Sequence, residues 1–378
     1  MDIKKKNKRC PCKASLQRNK ERLPSFILYY PENQLLITNT SQPKSGNDRG
    51  VNSWKLKWGK YDRRLSIVSY QIFSKYIGDN INIIPLEILG GIVEPVLTPE
   101  PFRAQYGDKN NIEKLLGEFS VPETLLRNIE GVYYDKNYSP LVEPLDFVQD
   151  NHPVKPSRDL SGHGVRLFTF KNGQYVNGEG EILSTKYLNK YYKQNYIIQE
   201  AVNQSQFMSG FNPSSVNTLR VATYRSVTTG QVHVINAVMR IGASGKNVDN
   251  AHSGGKFIGI DKKTGIIGKY VCDWLGKTDT VFNGIDFSKE DFQIPQWNEI
   301  CKFAERVSNQ ILFGNLVALD IALDEQDSPI LIEANVGDFS GWLFQFTNGS
   351  VFGEFTDEVM DYCWERYKQL KSVIVLNI

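Results

Sequence analysis

Two short runs of alternating residues face each other across a polar turn in Asn315–Asp338, NLVALDIALDEQDSPILIEANVGD. No other stretch constrains the fold as tightly, because alternation with period two is the signature of paired strands. A slip of one residue would turn the whole apolar set outward, so the pattern also predicts a register. Pairing Leu323 with Ile330 sets Ile321 against Ile332, Leu319 against Ala334 and Val317 against Val336 on one apolar face. The other face then carries Ala322 opposite Leu331, Asp320 opposite Glu333 and Ala318 opposite Asn335.

That register has a chemical consequence. Directly opposed residues hold their β-carbons roughly 4.5–5.5 Å apart, and two carboxylates at that spacing repel unless a cation lies between them. Asp320, Glu333 and Asn335 put three oxygen donors on one face, with small alanines leaving room. Such a set suits Mg2+, which takes one or two carboxylates and completes its shell with water and phosphate oxygens. The other reading of the same residues is a solvated sheet face whose acids point into water.

With 44 Lys and Arg against 42 Asp and Glu, the net charge of +2 implies no nucleic-acid partner for the molecule as a whole. The basic residues crowd at the start, where Lys4, Lys5, Lys6, Lys8, Arg9, Lys13, Arg18, Lys20 and Arg22 suggest a solvated tail. Contact of that tail with an anionic membrane surface stays open. No apolar stretch approaches the roughly 20 residues of a membrane span, and no signal peptide is evident. Cys10, Cys12, Cys272, Cys301 and Cys363 are scattered and lack zinc spacing, which predicts free thiols and a cytoplasmic protein.

Along the chain, residues 1–107 read as a tail and an accessory region. Within it RLSIVSYQIFSKYIGD has helical spacing and stops at Gly78, while ILGGIVEPVLTPEPF reads as a loop or short strand. Residues 108–150 begin with a helix through Ile112, Leu115 and Leu116. Residues 151–203 hold two strands joined by the loop Ser161-Gly162-His163-Gly164, a hairpin around Asn172-Gly173, a helix over Ile182–Gln194 and the strand YIIQEAV. Residues 204–378 hold the strands VNTLRVATYRSV and HVINAVMRIG, the loop Gly242–Gly255 and an amphipathic helix over 296–313. The hairpin follows, then a helix over Phe355–Leu370 and a strand-like VIVL.

The order of acid, strand, turn and Glu-x-Asn resembles the metal-binding hairpin of the ATP-grasp ligases. The combination N-T-L-R, R-I-G, V-D-N and G-G between Asn217 and Gly255 resembles the sugar-transfer-associated branch of that superfamily. The resemblance covers roughly residues 105–365. It implies an α+β protein of the ATP-grasp fold, two α+β subdomains clamping ATP, with an N-terminal extension. It further implies ATP and Mg2+ as cofactors, with Asp320, Glu333 and Asn335 on the metal. Lys109, Lys155 and the loop Ser161, Gly162, His163 and Gly164 would meet phosphates. Gln199, Glu200, Ala201 and Val202 would hold the adenosine. Arg220 and Arg240 would steady carboxylate or phosphoryl oxygens in the catalytic step. Read alone, the glycine loop is equally a tight turn, and arginines on strands are equally structural ion-pair partners.

The reaction implied is carboxylate activation by ATP and attack of an amine on the acyl phosphate, with small-molecule substrates, sugar-linked in the branch resembled. Such chemistry needs positioning and charge neutralisation rather than a protein nucleophile. Two other readings stay open: a phosphotransferase acting on a hydroxyl, and a scaffold that binds a nucleotide or glycan without catalysis. In many ligases of the superfamily N-x-x-P-G follows the metal asparagine, whereas here Asn335 is followed by VGDFSG, so substrate identity does not carry over.

Overall fold

The computed structural model describes residues 48–62, 65–142, 154–157, 165–246 and 249–376, with backbone alone at 48, 76, 101, 102, 104, 154–157 and 371–376. Helices open the described chain: α1 Asp48–Trp58 and α2 Val68–Ile77. Gly78, at φ +75°, ends α2 where the sequence predicts a stop. The next segment departs from expectation. ILGGIVEPVLTPEPF is helical, not loop or strand. Leu86–Ile88, a π-helical turn Leu89–Val93 and Glu94–Leu97 form one path, α3, and α4 spans Glu100–Gly107. Pro95 lies inside that path, just after the π-helical turn in which the Glu94 amide donates to Leu89 O. Burial of Leu89, Ile92, Val93 and Leu97 outweighs the low propensity of Gly90 and Gly91.

After α5 Ile112–Leu116, seven strands form an antiparallel sheet. They are β1 Thr124–Ile129, β2 Val132–Tyr134, β3 Pro140–Leu141, β4 Val154–Ser157, β5 Phe168–Lys171, β6 Gln174–Asn177 and, after α6 Thr185–Tyr191, β7 Tyr196–Glu200. Their order is β3-β2-β1-β7-β4-β5-β6. Asn172 and Gly173, both at positive φ, turn the β5–β6 hairpin as predicted. The helix expected over Ile182–Gln194 is shorter. Ser184 caps it by accepting from the Tyr187 amide, and Lys193 and Asn195 adopt left-handed backbone beyond it.

A second antiparallel sheet follows α7 Gln206–Phe211. It contains β8 Thr218–Arg225, β9 Val232–Ile241, β10 Lys256–Ile260, β11 Ile267–Cys272 and β12 Thr278–Asp279. A small hairpin of β13 Val281–Phe282 and β14 Ile285–Asp286 stands apart. After α8 Trp297–Gln310 come β15 Leu316–Leu323 and β16 Pro329–Asn335, giving the order β12-β11-β10-β9-β8-β15-β16. Helices α9 Gly341–Thr347 and α10 Thr356–Leu376 close the described chain. The VIVL segment, expected as a strand, continues α10.

Helix burial on both faces leaves one polar row on this sheet. Trp297, Ile300, Ala304 and Val307, spaced for one face of α8, pack with Met208 and Phe211 of α7 against Leu219, Val221, Met239, Leu319 and Ile321. On the opposite face Trp54, Trp58, Phe73, Leu89 and Val93 from the N-terminal helices join Phe344 and Phe346 of α9 and Met360 of α10. Together they cover Ala222, Tyr224, Val238, Phe257 and Ala318. With side chains alternating along a strand, Arg220, Arg240, Asp320, Glu333 and Asn335 share that second face.

The β15–β16 register agrees with expectation in one half only. Ala318 faces Asn335, Leu319 faces Ala334 and Asp320 faces Glu333, and then a bulge shifts the ladder by one. Ile321 pairs with Leu331 rather than Ile332, Ala322 with Ile330 rather than Leu331, and Leu323 with Pro329 rather than Ile330. The Leu331 amide donates to Ser120 O at 2.8 Å, and its side chain enters the core beside Ile321. Both faces of β15 are buried, so alternation did not penalise the shift.

Candidate active site

The polar row is an ion-pair chain built across four adjacent strands. Arg220 and Asp320 sit directly opposite in the β8–β15 ladder. Arg220 Nε donates to Asp320 Oδ1 at 2.8 Å and its Nη2 to Oδ2 at 2.9 Å, a bidentate fork. Arg240 on β9 reaches the same carboxylate, Nη1 to Oδ2 at 3.0 Å, and its Nη2 lies 3.1 Å from Asp249 Oδ1. Asn335 Nδ2 donates to Asp320 Oδ2 at 3.3 Å. From outside the sheet, Lys109 brings its Nζ to 3.3 Å from Glu333 Oε2.

Arg220, Asp320, Glu333 and Asn335 are all less than a tenth exposed, so their charges require each other. Burial alone would push the Asp320 carboxyl up. Arg220 and Arg240, with the hydrogen bonds from Arg220 and Asn335, overcome that and hold it at about 2. Arg220 shows the reciprocal effect: burial would lower it, and Asp320 raises it above its ordinary value. Asp249 differs, because desolvation prevails over Arg240 and the Thr218 hydroxyl and its carboxyl is raised.

The letters of the Asn217–Gly255 motifs acquire separate tasks. Asn217 donates to Met208 O and Asn212 O and accepts from the Gly242 amide, so it pins both ends of the surrounding loops. The Thr218 hydroxyl donates to Asp249. Gly254 adopts φ +92°, and a Cβ on Gly255 would come within 2.6 Å of Asp249 O, so the chain can fold that closely only with glycine there. These residues orient Asp249, which orients Arg240. Sequence reasoning missed Asp249 as a site residue although it lies within V-D-N.

Glu333 Oε1 is buried with no hydrogen-bond partner. An orphaned carboxylate oxygen beside Asp320 and Asn335 is the donor a hard cation needs. The hairpin would offer such a cation two carboxylates and one amide. Among the described residues no group of three or more His, Cys, Asp and Glu side chains is gathered for a metal, so water or substrate oxygens would complete a shell.

The other expected residues divide. Lys109 joins the cluster. Gln199 does not present a free amide: its Nε2 donates to Pro122 O and Thr124 Oγ1 inside the first sheet. The Glu200 amide donates to Glu123 O, and Ala201 and Val202 follow the last residue of β7. Lys155 faces Gln199 in the β4–β7 ladder, and its side chain lies outside the described residues, as do Ser161, Gly162, His163 and Gly164. Cys272, Cys301 and Cys363 are free thiols; Cys10 and Cys12 lie outside the described residues, with the whole basic tail. No helix among the described residues is long and apolar enough to cross a membrane.

The Sugar-transfer associated ATP-grasp family, as a sequence model, matches residues 100–360, well over half of the chain. The chain belongs to that family. This match spans every strand of both sheets and each residue of the polar row. Among solved structures, the ATP-grasp ligase PsnB complexed with minimal precursor is 12% identical, with 70% of this chain and 64% of that one covered, at a TM-score of 0.39. The D-alanine–D-alanine ligase from Bacillus anthracis is 10% identical over 69% of this chain and 70% of that one, at 0.35. The L-amino acid ligase from Bacillus licheniformis is 12% identical over 68% and 47%, at 0.35. The chain thus spans less than two thirds of PsnB, and at these scores the ATP-grasp assignment rests on the family match alone. No curated protein matches the chain.

Proposed function

We propose that this ATP-grasp protein is an ATP- and Mg2+-dependent carboxylate–amine ligase that forms an amide through an acyl phosphate on a sugar or polysaccharide precursor. The observation that carries the reading is the opposed pair Asp320 and Glu333 with an orphaned Glu333 oxygen, held beside three cations. Glu333, Asn335 and Asp320 would hold the metal, which when bound supplies neutralisation of phosphate charge. Lys109, Lys155 and the Ser161–Gly164 loop with His163 would meet the phosphates, and Gln199 to Val202 the adenosine, chiefly through backbone given the engaged Gln199 side chain. The sugar link is supported by the family's association with sugar transfer.

The substrate carboxylate oxygen would bond to the γ-phosphorus as the bond to the β-phosphate oxygen breaks and ADP leaves. The amine nitrogen would then bond to the acyl carbon as phosphate departs, losing a proton. Arg220 keeps Asp320 ionised and fixed, and Arg240 bridges Asp320 to Asp249 at the edge of the row. Charge stabilisation of this kind acts best from groups oriented beforehand. Both guanidiniums are already engaged by carboxylates, which favours one second reading: a hydroxyl acceptor, needing no counter-charge, that leaves as a phosphate ester.

Incubation with ATP, Mg2+ and panels of carboxylates and amines, followed by ADP measurement and product mass spectrometry, tests the proposal. Substrate-dependent ADP release with an amide mass is the expected result. A phosphorylated product replaces it with the phosphotransferase, and nucleotide binding without turnover on any panel speaks for a scaffold.

A further inference from the structure

Tyr138 adopts φ +62°, a left-handed conformation that an aromatic residue takes up only under compulsion. The β2–β3 turn around it is tied several times over. Asp135 N donates to Ser139 O, Tyr138 N to Asp135 O, and the Asp135 carboxylate accepts from the Asn137 and Ser139 amides, both at 2.8 Å. The ring lies within cation–π distance of two cations, Lys114 Nζ at 4.0 Å and the Arg127 guanidinium at 4.1 Å from its centroid. Its hydroxyl donates to Asn110 O at 2.7 Å.

Asn110 O also accepts from Arg127 Nη1 at 3.2 Å. Arg127 is fully buried and ion-paired to Glu113 on α5. Asn110 is buried too, its amide and side chain both donating to Asp108 Oδ1. One backbone carbonyl therefore receives two side-chain donors from the first sheet, and the residue before it is Lys109, whose ammonium stands at Glu333 on the second sheet. The strained turn, the neighbouring guanidinium and the doubly bonded carbonyl converge on the position of one lysine.

We propose that Tyr138 is a positioning residue that fixes the backbone at Asn110 and thereby holds the Lys109 ammonium on Glu333. The first sheet in this way sets the charge at the centre of the second. Where Lys109 serves nucleotide phosphates the device prepares it for them, and only that part rests on the ligase reading.

The test is reductive methylation of the full chain by formaldehyde and borohydride, followed by peptide mass spectrometry, with exposed Lys302 as internal reference. Tyr138→Phe keeps the ring and removes the hydroxyl, and it should raise the Lys109 labelling rate by about fivefold, the usual weight of one such hydrogen bond. Thermal stability should change little, because Arg127 and the ring stay in place. In a Glu333→Gln background, where Lys109 has lost its charged partner, adding Tyr138→Phe should have a much smaller effect. Equal Lys109 labelling in wild type and Tyr138→Phe overturns the proposal, as does an undiminished effect in the Glu333→Gln background. A second arm measures binding of a non-hydrolysable ATP analogue with Mg2+. Wild type that fails to bind it, with labelling still changed by Tyr138→Phe, sinks the ligase reading and sustains the positioning role. Wild type that binds, with labelling unchanged, does the reverse.

Discussion

Asp320, which we propose as a metal ligand, is also the hub on which two buried arginines depend. Removing one member of such a cluster leaves uncompensated charge in the interior. Asp320→Ala should therefore cost about 3–5 kcal/mol of stability, measured by urea denaturation. Glu333→Gln keeps the shape and should abolish turnover with the fold intact, at the stability cost of leaving the Lys109 ammonium without its charged partner. A variant that turns over like wild type with ordinary Mg2+ dependence would sink the metal assignment. Stability should also carry two opposed pH signatures. Asp320 is held at about 2, below the ordinary carboxylate value near 3.9, so its contribution is present above that value and is lost as pH falls through about 2. Burial pushes the partly exposed Glu94 carboxyl up to about 8, with Asp338 adding and Arg103 opposing. Between about 4.5 and 8 the folded chain keeps a proton the unfolded chain has lost, so stability declines as pH rises. Glu94→Gln should flatten the denaturation midpoint across that window; an unchanged slope would show that Glu94 does not set it.

At the scale of elements, legibility followed how strictly a pattern was tied to one solvent-facing side. Asp320 against Glu333 was readable because opposing two acids has few structural explanations, and the ladder agrees there. Ile330 to Ile332 was not, since a run of apolar residues between two buried faces looks the same before and after a bulge. Gly90, Gly91, Pro95 and Pro101 read as breakers, yet the α3–α4 path is helical because Ile92, Val93 and Leu97 between them are buried in the core. Asp249, Arg127 and Tyr138 left almost no local signal, their meaning arising from partners 11 to 31 residues away. Gly337 gives a test of this packing. A Cβ there would meet Arg103 Cδ at 2.9 Å, and Arg103 is itself tethered to Thr98 O at 2.8 Å. Gly337→Ala should displace that side chain and lower thermal stability. Restoration by a second change, Arg103→Ala, would identify the collision as the cause, and two additive losses would argue against it.

Over the whole molecule, the family match begins at residue 100, while the core does not. Trp54, Trp58, Tyr70, Phe73, Ile83, Ile84, Leu89 and Val93 belong to the same cluster as Ala222, Tyr224, Phe344, Phe346 and Met360. Trp54 Nε1 donates to Ile83 O at 2.7 Å, and Gln345, fully buried on α9, accepts from the Ile84 amide and donates to its carbonyl. The N-terminal helices therefore help cover the face of the second sheet that carries the polar row rather than stand beside it as an independent unit. Each large side chain buried there stabilises by about 1.5–3 kcal/mol, and several such residues together approach the whole net stability of an ordinary domain, roughly 5–15 kcal/mol. A chain shortened to residues 100–378 should accordingly fail to fold cooperatively. It should bind a hydrophobic dye and lack protected amides in β8 and β15 by hydrogen exchange. Trp54→Ala is the milder form of the same experiment, expected to cost about 3–5 kcal/mol. A shortened chain that melts in one sharp transition with protected β8 and β15 would show that the second sheet holds its row of charges without this cover.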